Sequence, residues 1–176
     1  MSAVAGPVLA ASMLLAYAGA TKLRRPGVTV QALRAAGLPA PLATGRVVGA
    51  FEVAAATWCL AAGSHPACAL VAVAYLAFAA FSARLMLSGG GASCGCFGQA
   101  DTPTSPIHVG INLLLGLLAA AGALDPPGHL TGVLDDQPLG GAPLLAFAAL
   151  GAWAAYLSLT LLPALDRAIA GPGDRA

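Results

Sequence analysis

Charged side chains are scarce in this chain of 176 residues. They make up 9% of it, against about 25% in ordinary soluble domains. Hydrophobic residues make up 59%. This number of charges is too small to cover the surface of a water-soluble globule. We therefore expect much of the surface to face a lipid bilayer. The net charge of +1 offers no basic surface, which excludes nucleic acid as an expected partner.

The chain also lacks a polar stretch long enough to form a soluble domain, and it has no internal repeat. A transmembrane helix needs about 20 apolar residues, and five segments qualify: 2–21, 45–63, 67–87, 107–124 and 143–162. We therefore predict an all-α fold, a polytopic transmembrane helical bundle with a four-helix core plus a fifth C-terminal span. Residues 1–165 form a single domain, and residues 166–176 a disordered tail.

Two of the connections between the predicted spans differ in composition. Pro26-Gly27 and Gly37-Leu38-Pro39 bracket a short segment, because proline and glycine mark helix boundaries. This segment is either a short helix, lying at the membrane surface or re-entering the membrane, or an ordinary loop. Residues 125–142 contain three aspartates with several prolines and glycines, which is typical of a solvated loop.

The most informative motif is Cys94-Gly95-Cys96, which follows the third span in a glycine-rich loop. Burial in a packed core does not explain cysteines in such a loop. The intervening glycine permits the tight backbone of a Cys-x-Cys disulfide, and a strained disulfide is the easily reduced kind. The motif favours a pair that exchanges electrons with a partner thiol protein. Two incidental cysteines or a static disulfide are the alternatives.

A metal site is a rival interpretation of the same loop. Cys94, Cys96 and His108 supply three ligands, but a closed zinc site needs four and no fourth lies nearby in the sequence. We therefore predict no metal site. Cys59 and Cys68 lie at the other end of the third span, about 30 Å from Cys94 at 1.5 Å per residue. They are expected to be core residues or a disulfide across the hairpin.

Ionisable residues inside the spans are the remaining candidates. Glu52 lies within the second span and Arg46 near its start. A carboxylate there needs a partner inside the bundle, and Lys22 or Arg84 from another helix qualifies. Glu52 is either a proton relay, part of a quinone pocket, or half of an internal ion pair. His108 is either a proton shuttle or a histidine without a chemical role.

These motifs together resemble a known family. Residues 17–23 end the first span with Gly19-x-x-Lys22, Gly37-Leu38-Pro39 follows, Arg46 and Glu52 open the second span, and Cys94-Gly95-Cys96-Phe97-Gly98 precedes the fourth. This pattern is similar to the MauE family of methylamine-utilisation membrane proteins, grouped with DoxX-like redox-associated proteins. The resemblance covers about residues 5–124.

The resemblance implies a bacterial inner-membrane protein that supports disulfide formation in, or maturation of, a partner. In the family that partner is classically the small subunit of methylamine dehydrogenase, and a thioredoxin-like or cysteine-rich protein is the expected companion. Only Cys94 and Cys96 match the family's thiol pair. A looser analogy with disulfide-oxidising membrane proteins implies a quinone. A membrane scaffold and a small transporter or metal carrier remain alternatives.

The distribution of basic residues predicts the orientation. With five spans, every lysine and arginine falls on one side, whereas the loops 63–66 and 125–142 contain neither. The positive-inside rule then places the N-terminus outside and the C-terminus in the cytoplasm. It also places the Cys94 loop at the cytoplasmic face, where a thiol pair accepts electrons from a reductant or senses redox state.

Overall fold

The computed structural model describes residues 3–88, 95, 104–163 and 165. Within these ranges the chain is helical and contains no strand, which confirms the all-α prediction. The helices are α1 (Ala5–Arg24), α2 (Pro26–Ala35), α3 (Leu42–Ala62), α4 (His65–Leu87), α5 (Pro106–Leu124), α6 (Leu130–Asp135) and α7 (Ala142–Thr160), with a 3₁₀ turn at Pro138–Gly141. The predicted tail, residues 166–176, lies outside the described residues.

A tight hairpin joins α3 to α4. Gly63 ends α3 in the left-handed conformation with φ of 48°, which glycine adopts without strain. Ser64 precedes α4, and Pro66 lies in its first turn, where a missing amide hydrogen costs nothing. Gly128 donates its amide hydrogen to the Gly63 carbonyl at 3.2 Å. The loop after α5 therefore lies at the same end of the bundle as the hairpin.

Helix α1 occupies the centre of the bundle. It packs mainly against α3 and α7 and also contacts α2, α4 and α5, while α4 and α5 form the other main pair. The interior is built largely from small residues, including Ala11, Ala56, Ala67, Cys68 and Ala119. Small side chains let helix backbones approach closely, which is how helices associate where lipid provides no hydrophobic driving force.

Large apolar side chains point outward instead. Exposed examples on the long helices are Val47, Phe51, Trp58, Val73, Leu114, Leu117, Phe147, Leu150 and Trp153. Such a surface suits lipid and not water. Four helices are long and apolar enough to cross a membrane: Leu42–Ala62, His65–Leu87, Pro106–Leu124 and Pro138–Thr160. The chain is thus a multi-pass membrane protein. Helix α1 is not among the four, so its crossing stays a prediction.

The two connections differ from each other. The segment after α1 is the helix α2, with Thr29, Val30 and Ala32 buried and Arg34 near its end. It packs against α3 and α1, so the alternative of an ordinary loop is wrong. Residues 125–142 are exposed over much of their length, as expected, but they include α6 and the 3₁₀ turn. Polarity predicted their exposure and missed this local helical structure.

Candidate functional site

Cys94 and Cys96 lie outside the described residues, but Gly95 between them is described. Gly95 is buried and has φ of 64°, a conformation that residues with a side chain rarely adopt. A β-carbon there would lie 3.0 Å from the Val28 carbonyl oxygen and 3.3 Å from the Thr29 Cα. Position 95 therefore requires glycine for two reasons, and it contacts the first turns of α2.

Helix α2 is itself held in place by two arginines. The Arg84 Nε from α4 donates to the Ala36 carbonyl at 3.1 Å. Arg34 donates from Nε and Nη2 to the Ala40 carbonyl at 3.2 and 3.0 Å. Carbonyl groups at and after a helix C-terminus have no partner within the helix, so these guanidinium groups satisfy them. The hydrogen bond from Arg84 thereby attaches α2, which Gly95 contacts, to α4.

A buried ion pair joins α1 to α3. Lys22 Nζ lies 2.8 Å from Glu52 Oε2, and their side chains are 3% and 1% exposed. Lys22 Nζ also lies 5.0 Å from the centre of the Phe78 ring on α4, which is within cation–π distance. Glu52 Oε1 is buried and accepts no hydrogen bond among the described residues. The pair therefore links three helices, and Lys22 rather than Arg84 is the partner of Glu52.

Two glycines make this pairing possible. A β-carbon at Gly19 would lie 2.7 Å from the Gly49 carbonyl oxygen, and one at Gly49 would lie 2.8 Å from the Gly19 carbonyl oxygen. Gly19 faces Glu52, and Gly49 faces Lys22. Each helix thus carries a glycine followed three residues later by a charged residue. Because α1 and α3 run antiparallel, each glycine lies opposite the charged residue of the other helix.

The other predicted site residues do not join this pair. Arg46 is exposed at the start of α3, and no ion pair connects it to Glu52. His108 is buried, and its Nδ1 accepts a hydrogen bond from the Ser105 amide at 3.2 Å. His108 thus caps the start of α5. Asn112 donates to the His108 carbonyl at 2.7 Å, within its own helix.

The cysteines of the hairpin lie next to each other. Cys59 Sγ and Cys68 Sγ are 3.5 Å apart, and both thiols are free and buried. Cys59 lies in the last turn of α3 and Cys68 in the first turn of α4. They are at the end of α4 opposite to Arg84, whose guanidinium group binds the end of α2, the helix that Gly95 contacts.

The described side chains form neither a cluster of metal ligands nor a charged quinone pocket. Among residues 3–88, 95, 104–163 and 165, no three His, Cys, Asp or Glu side chains cluster as metal ligands would. A groove of about 410 Å³ between α1 and α7 is lined by Met13, Leu14, Tyr17, Ala149, Ala152, Trp153 and Tyr156. Its aromatic walls suit a flat ring, but it brings no charged group to a quinone carbonyl. It fits a lipid chain equally well, so no redox step is assigned to it.

Neither Gly49 nor Phe78 was predicted from the sequence to belong to this group of residues. The repetition of a glycine three residues before a charged residue, in Gly19-x-x-Lys22 and Gly49-x-x-Glu52, was a readable signal for the first. No comparable signal marks Phe78, because its contact with Lys22 depends on how α4 lies against α1. Ser105 followed three residues later by His108 resembles a capping box with histidine in place of glutamate.

No curated protein and no solved structure matches the chain significantly. The family model described as Methylamine utilisation protein MauE matches residues 1–125, which include α1 to α5, the Lys22–Glu52 pair and the Cys94-Gly95-Cys96 motif. A match over this much of the sequence shows that the chain belongs to the MauE family.

Proposed function

We propose that this protein is a membrane thiol–disulfide redox protein in which Cys94 and Cys96 are the exchanging pair. The observation that carries the proposal is the position of Gly95. Its positive φ and its burial against Val28 and Thr29 fix the central residue of a Cys-x-Cys motif. A central glycine fixed in this way against α2, which Arg84 bonds to α4, suits a motif with a defined chemical role better than an incidental one.

The reaction balances within the pair and its partner. One thiolate attacks a sulfur of the partner's disulfide, forming a mixed disulfide and releasing one partner thiolate. The second cysteine of the motif then attacks the mixed disulfide. The motif becomes a disulfide, and the partner leaves as a dithiol with two electrons and two protons. The reverse sequence oxidises a partner dithiol and reduces the motif.

The partner class follows from the family. A thioredoxin-like protein or a cysteine-rich subunit carries the thiols that such a motif exchanges with. Membership of a family named for methylamine utilisation supports a role in the maturation of methylamine dehydrogenase. The bacterial inner membrane is the proposed location. A scaffold that only holds the partner is the alternative, and it requires neither cysteine.

Replacing either Cys94 or Cys96 by serine is expected to abolish exchange with the partner. A single thiol can form the mixed disulfide but has no neighbour to resolve it. The measurement is alkylation followed by mass determination in membranes equilibrated with graded glutathione redox buffers. The unchanged protein should titrate as one two-electron couple. If the motif keeps one redox state across the whole range, or if a serine variant still supports partner maturation, the redox proposal is wrong and the scaffold hypothesis remains.

Gly95→Ala adds a structural arm to this experiment. Alanine in the left-handed region costs about 1–2 kcal/mol, and its β-carbon would crowd Val28. Both thiols remain, so a slower exchange would be due to the altered position of the motif. Gly110→Ala is the matched control, because a side chain at the exposed Gly110 on α5 meets no atom within 4 Å.

The orientation is the second prediction. Arg34 and Arg84 bind carbonyls at and after the end of α2, the helix that Gly95 contacts, and Lys22 lies in the last turn of α1. The hairpin and the loop after α5 form the opposite end and contain no lysine or arginine. We expect the motif to face the cytoplasm, because the positive-inside rule places the end of the bundle that carries lysine and arginine on the cytoplasmic side.

Labelling of intact cells with a membrane-impermeant maleimide measures this orientation. A variant with Cys94 as its single cysteine should react only after the membrane is permeabilised. Asp135→Cys in a background without the native cysteines is the control, because Asp135 is exposed at the opposite end and should react from outside. Rapid labelling of Cys94 on intact cells would reverse the orientation and make the motif an extracytoplasmic oxidant.

A further inference from the structure

The two cysteines at the hairpin form a site that the exchange reaction does not use. Their sulfurs are 3.5 Å apart, against about 2.05 Å in a disulfide. Cys59 is 2% exposed and Cys68 is 0% exposed. The left-handed turn at Gly63 fixes α3 against α4 and thereby brings the two thiols together. Only a side-chain adjustment of about 1.5 Å separates them from a covalent bond.

The surroundings of the pair favour a disulfide over a metal ion. Two thiolates on a tetrahedral zinc ion, with Zn–S bonds of about 2.3 Å, lie about 3.8 Å apart, close to the 3.5 Å between these sulfurs. The number of ligands decides between the two, because a structural zinc site needs four and no third ligand clusters with the pair among the described residues. Gly122 on α5 lies close to Cys68, since a β-carbon there would be 3.6 Å from its Sγ. The pair is therefore enclosed by packed helices.

The proposed location of the pair gives it access to an oxidising compartment. Cys59 and Cys68 lie at the end of the bundle that contains no described lysine or arginine, so the proposed orientation places them on the extracytoplasmic side. Disulfides form and persist in that compartment, whereas the cytosol keeps thiols reduced. Two adjacent thiols at this end are thus on the side of the membrane where protein disulfides are made.

We propose that Cys59 and Cys68 form an intramolecular disulfide in the mature protein. It arises by exchange with a disulfide-bearing protein of the extracytoplasmic compartment. One thiolate attacks the partner's disulfide, the other resolves the mixed disulfide, and the partner leaves as a dithiol carrying the two electrons and two protons. Because both thiols are buried in the folded bundle, this exchange precedes the packing of α1 and α5 over the hairpin. The proposal rests on the proposed orientation but not on chemistry at Cys94 and Cys96.

The test uses a Cys94→Ser/Cys96→Ser variant, so that a failure of the exchange hypothesis does not affect it. Cells are quenched in acid, and the protein is denatured, alkylated and weighed with or without prior reduction. The expected result is no alkylated thiol without reduction and two after it. A further Cys68→Ser change leaves one thiol and should give one alkyl group in both arms.

Two results would overturn the proposal in different ways. Two free thiols in the untreated cells would show that the pair stays reduced, and maleimide labelling would then tell whether the orientation is the cause. Oxidation of the denatured protein with copper-phenanthroline, followed by refolding in detergent, tests the geometry without requiring access to the buried thiols of the folded bundle. If the oxidised protein does not regain the helical content and stability of the reduced protein refolded in parallel, the disulfide does not fit between α3 and α4 and the geometry is wrong.

Discussion

Lys22→Met is expected to lower the free energy of unfolding by about 3–5 kcal/mol, the usual cost of removing one partner from a buried ion pair. Glu52 is fully buried, and its Oε1 already lacks a hydrogen bond among the described residues. Without the Lys22 ammonium group at 2.8 Å, both carboxylate oxygens would be buried without a partner. The loss also removes the cation–π contact with Phe78.

The double variant Lys22→Met/Glu52→Leu is expected to recover most of that loss. Well-packed apolar replacements for a buried pair are often neutral, because they avoid the desolvation of two charges. Arg46→Met is the control on the same helix α3. Arg46 is exposed and outside the pair, so its change should stay within about 0.5 kcal/mol.

Unfolding of the purified protein in detergent, followed by circular dichroism across a denaturant series, measures these differences. If Lys22→Met costs no more than Arg46→Met, the pair contributes nothing to stability and the interpretation is wrong. Glu52→Gln adds a functional readout. A packing role predicts a loss of stability with thiol exchange intact in the folded fraction, whereas a proton relay predicts loss of exchange at normal stability.

The helices could be predicted from the sequence because lipid imposes one simple requirement on it. Predominantly apolar runs of sufficient length appear in the structure as α3, α4, α5 and α7. Helix α1 follows the same rule less clearly, since its polar end carries Lys22 and Arg24 and its small residues pack inside the bundle. Length and hydropathy therefore indicate a helix there, but not whether it crosses the membrane.

Side-chain partners could be predicted only as alternatives. Glu52 needed a cation, and the sequence offered Lys22 and Arg84 without deciding between them. The choice depends on the antiparallel crossing of α1 and α3, which no local pattern specifies. Arg84 instead binds the Ala36 carbonyl, because α2 brings its C-terminal end to α4. His108 accepts the Ser105 amide hydrogen at Nδ1, a capping contact that depends on the local turn before α5, and its role as a proton shuttle stays a prediction.

Gly49→Leu is expected to prevent the close packing of α1 against α3. The first side-chain carbon at position 49 would lie 2.8 Å from the Gly19 carbonyl oxygen and 3.0 Å from the Leu23 amide nitrogen. Both are backbone atoms, so no side-chain rotation can relieve the clash. Even Gly49→Ala should cost about 1–3 kcal/mol, the usual range for overpacking, and leucine should cost more.

The effect should also reach the ion pair, because Gly49 faces Lys22 and Gly19 faces Glu52. Moving the helices apart lengthens the Lys22–Glu52 contact, so Gly49→Ala and Lys22→Met should be non-additive in a double-mutant cycle. Gly110→Leu is the matched control, since nothing lies within 4 Å of a β-carbon at that exposed position of α5. Monodispersity on gel filtration and unfolding in detergent are the measurements. If the Gly49→Leu protein is as stable as the Gly110→Leu protein, α1 and α3 do not meet at these glycines. If the effects of Gly49→Ala and Lys22→Met are additive, the glycine contact and the ion pair are independent of each other.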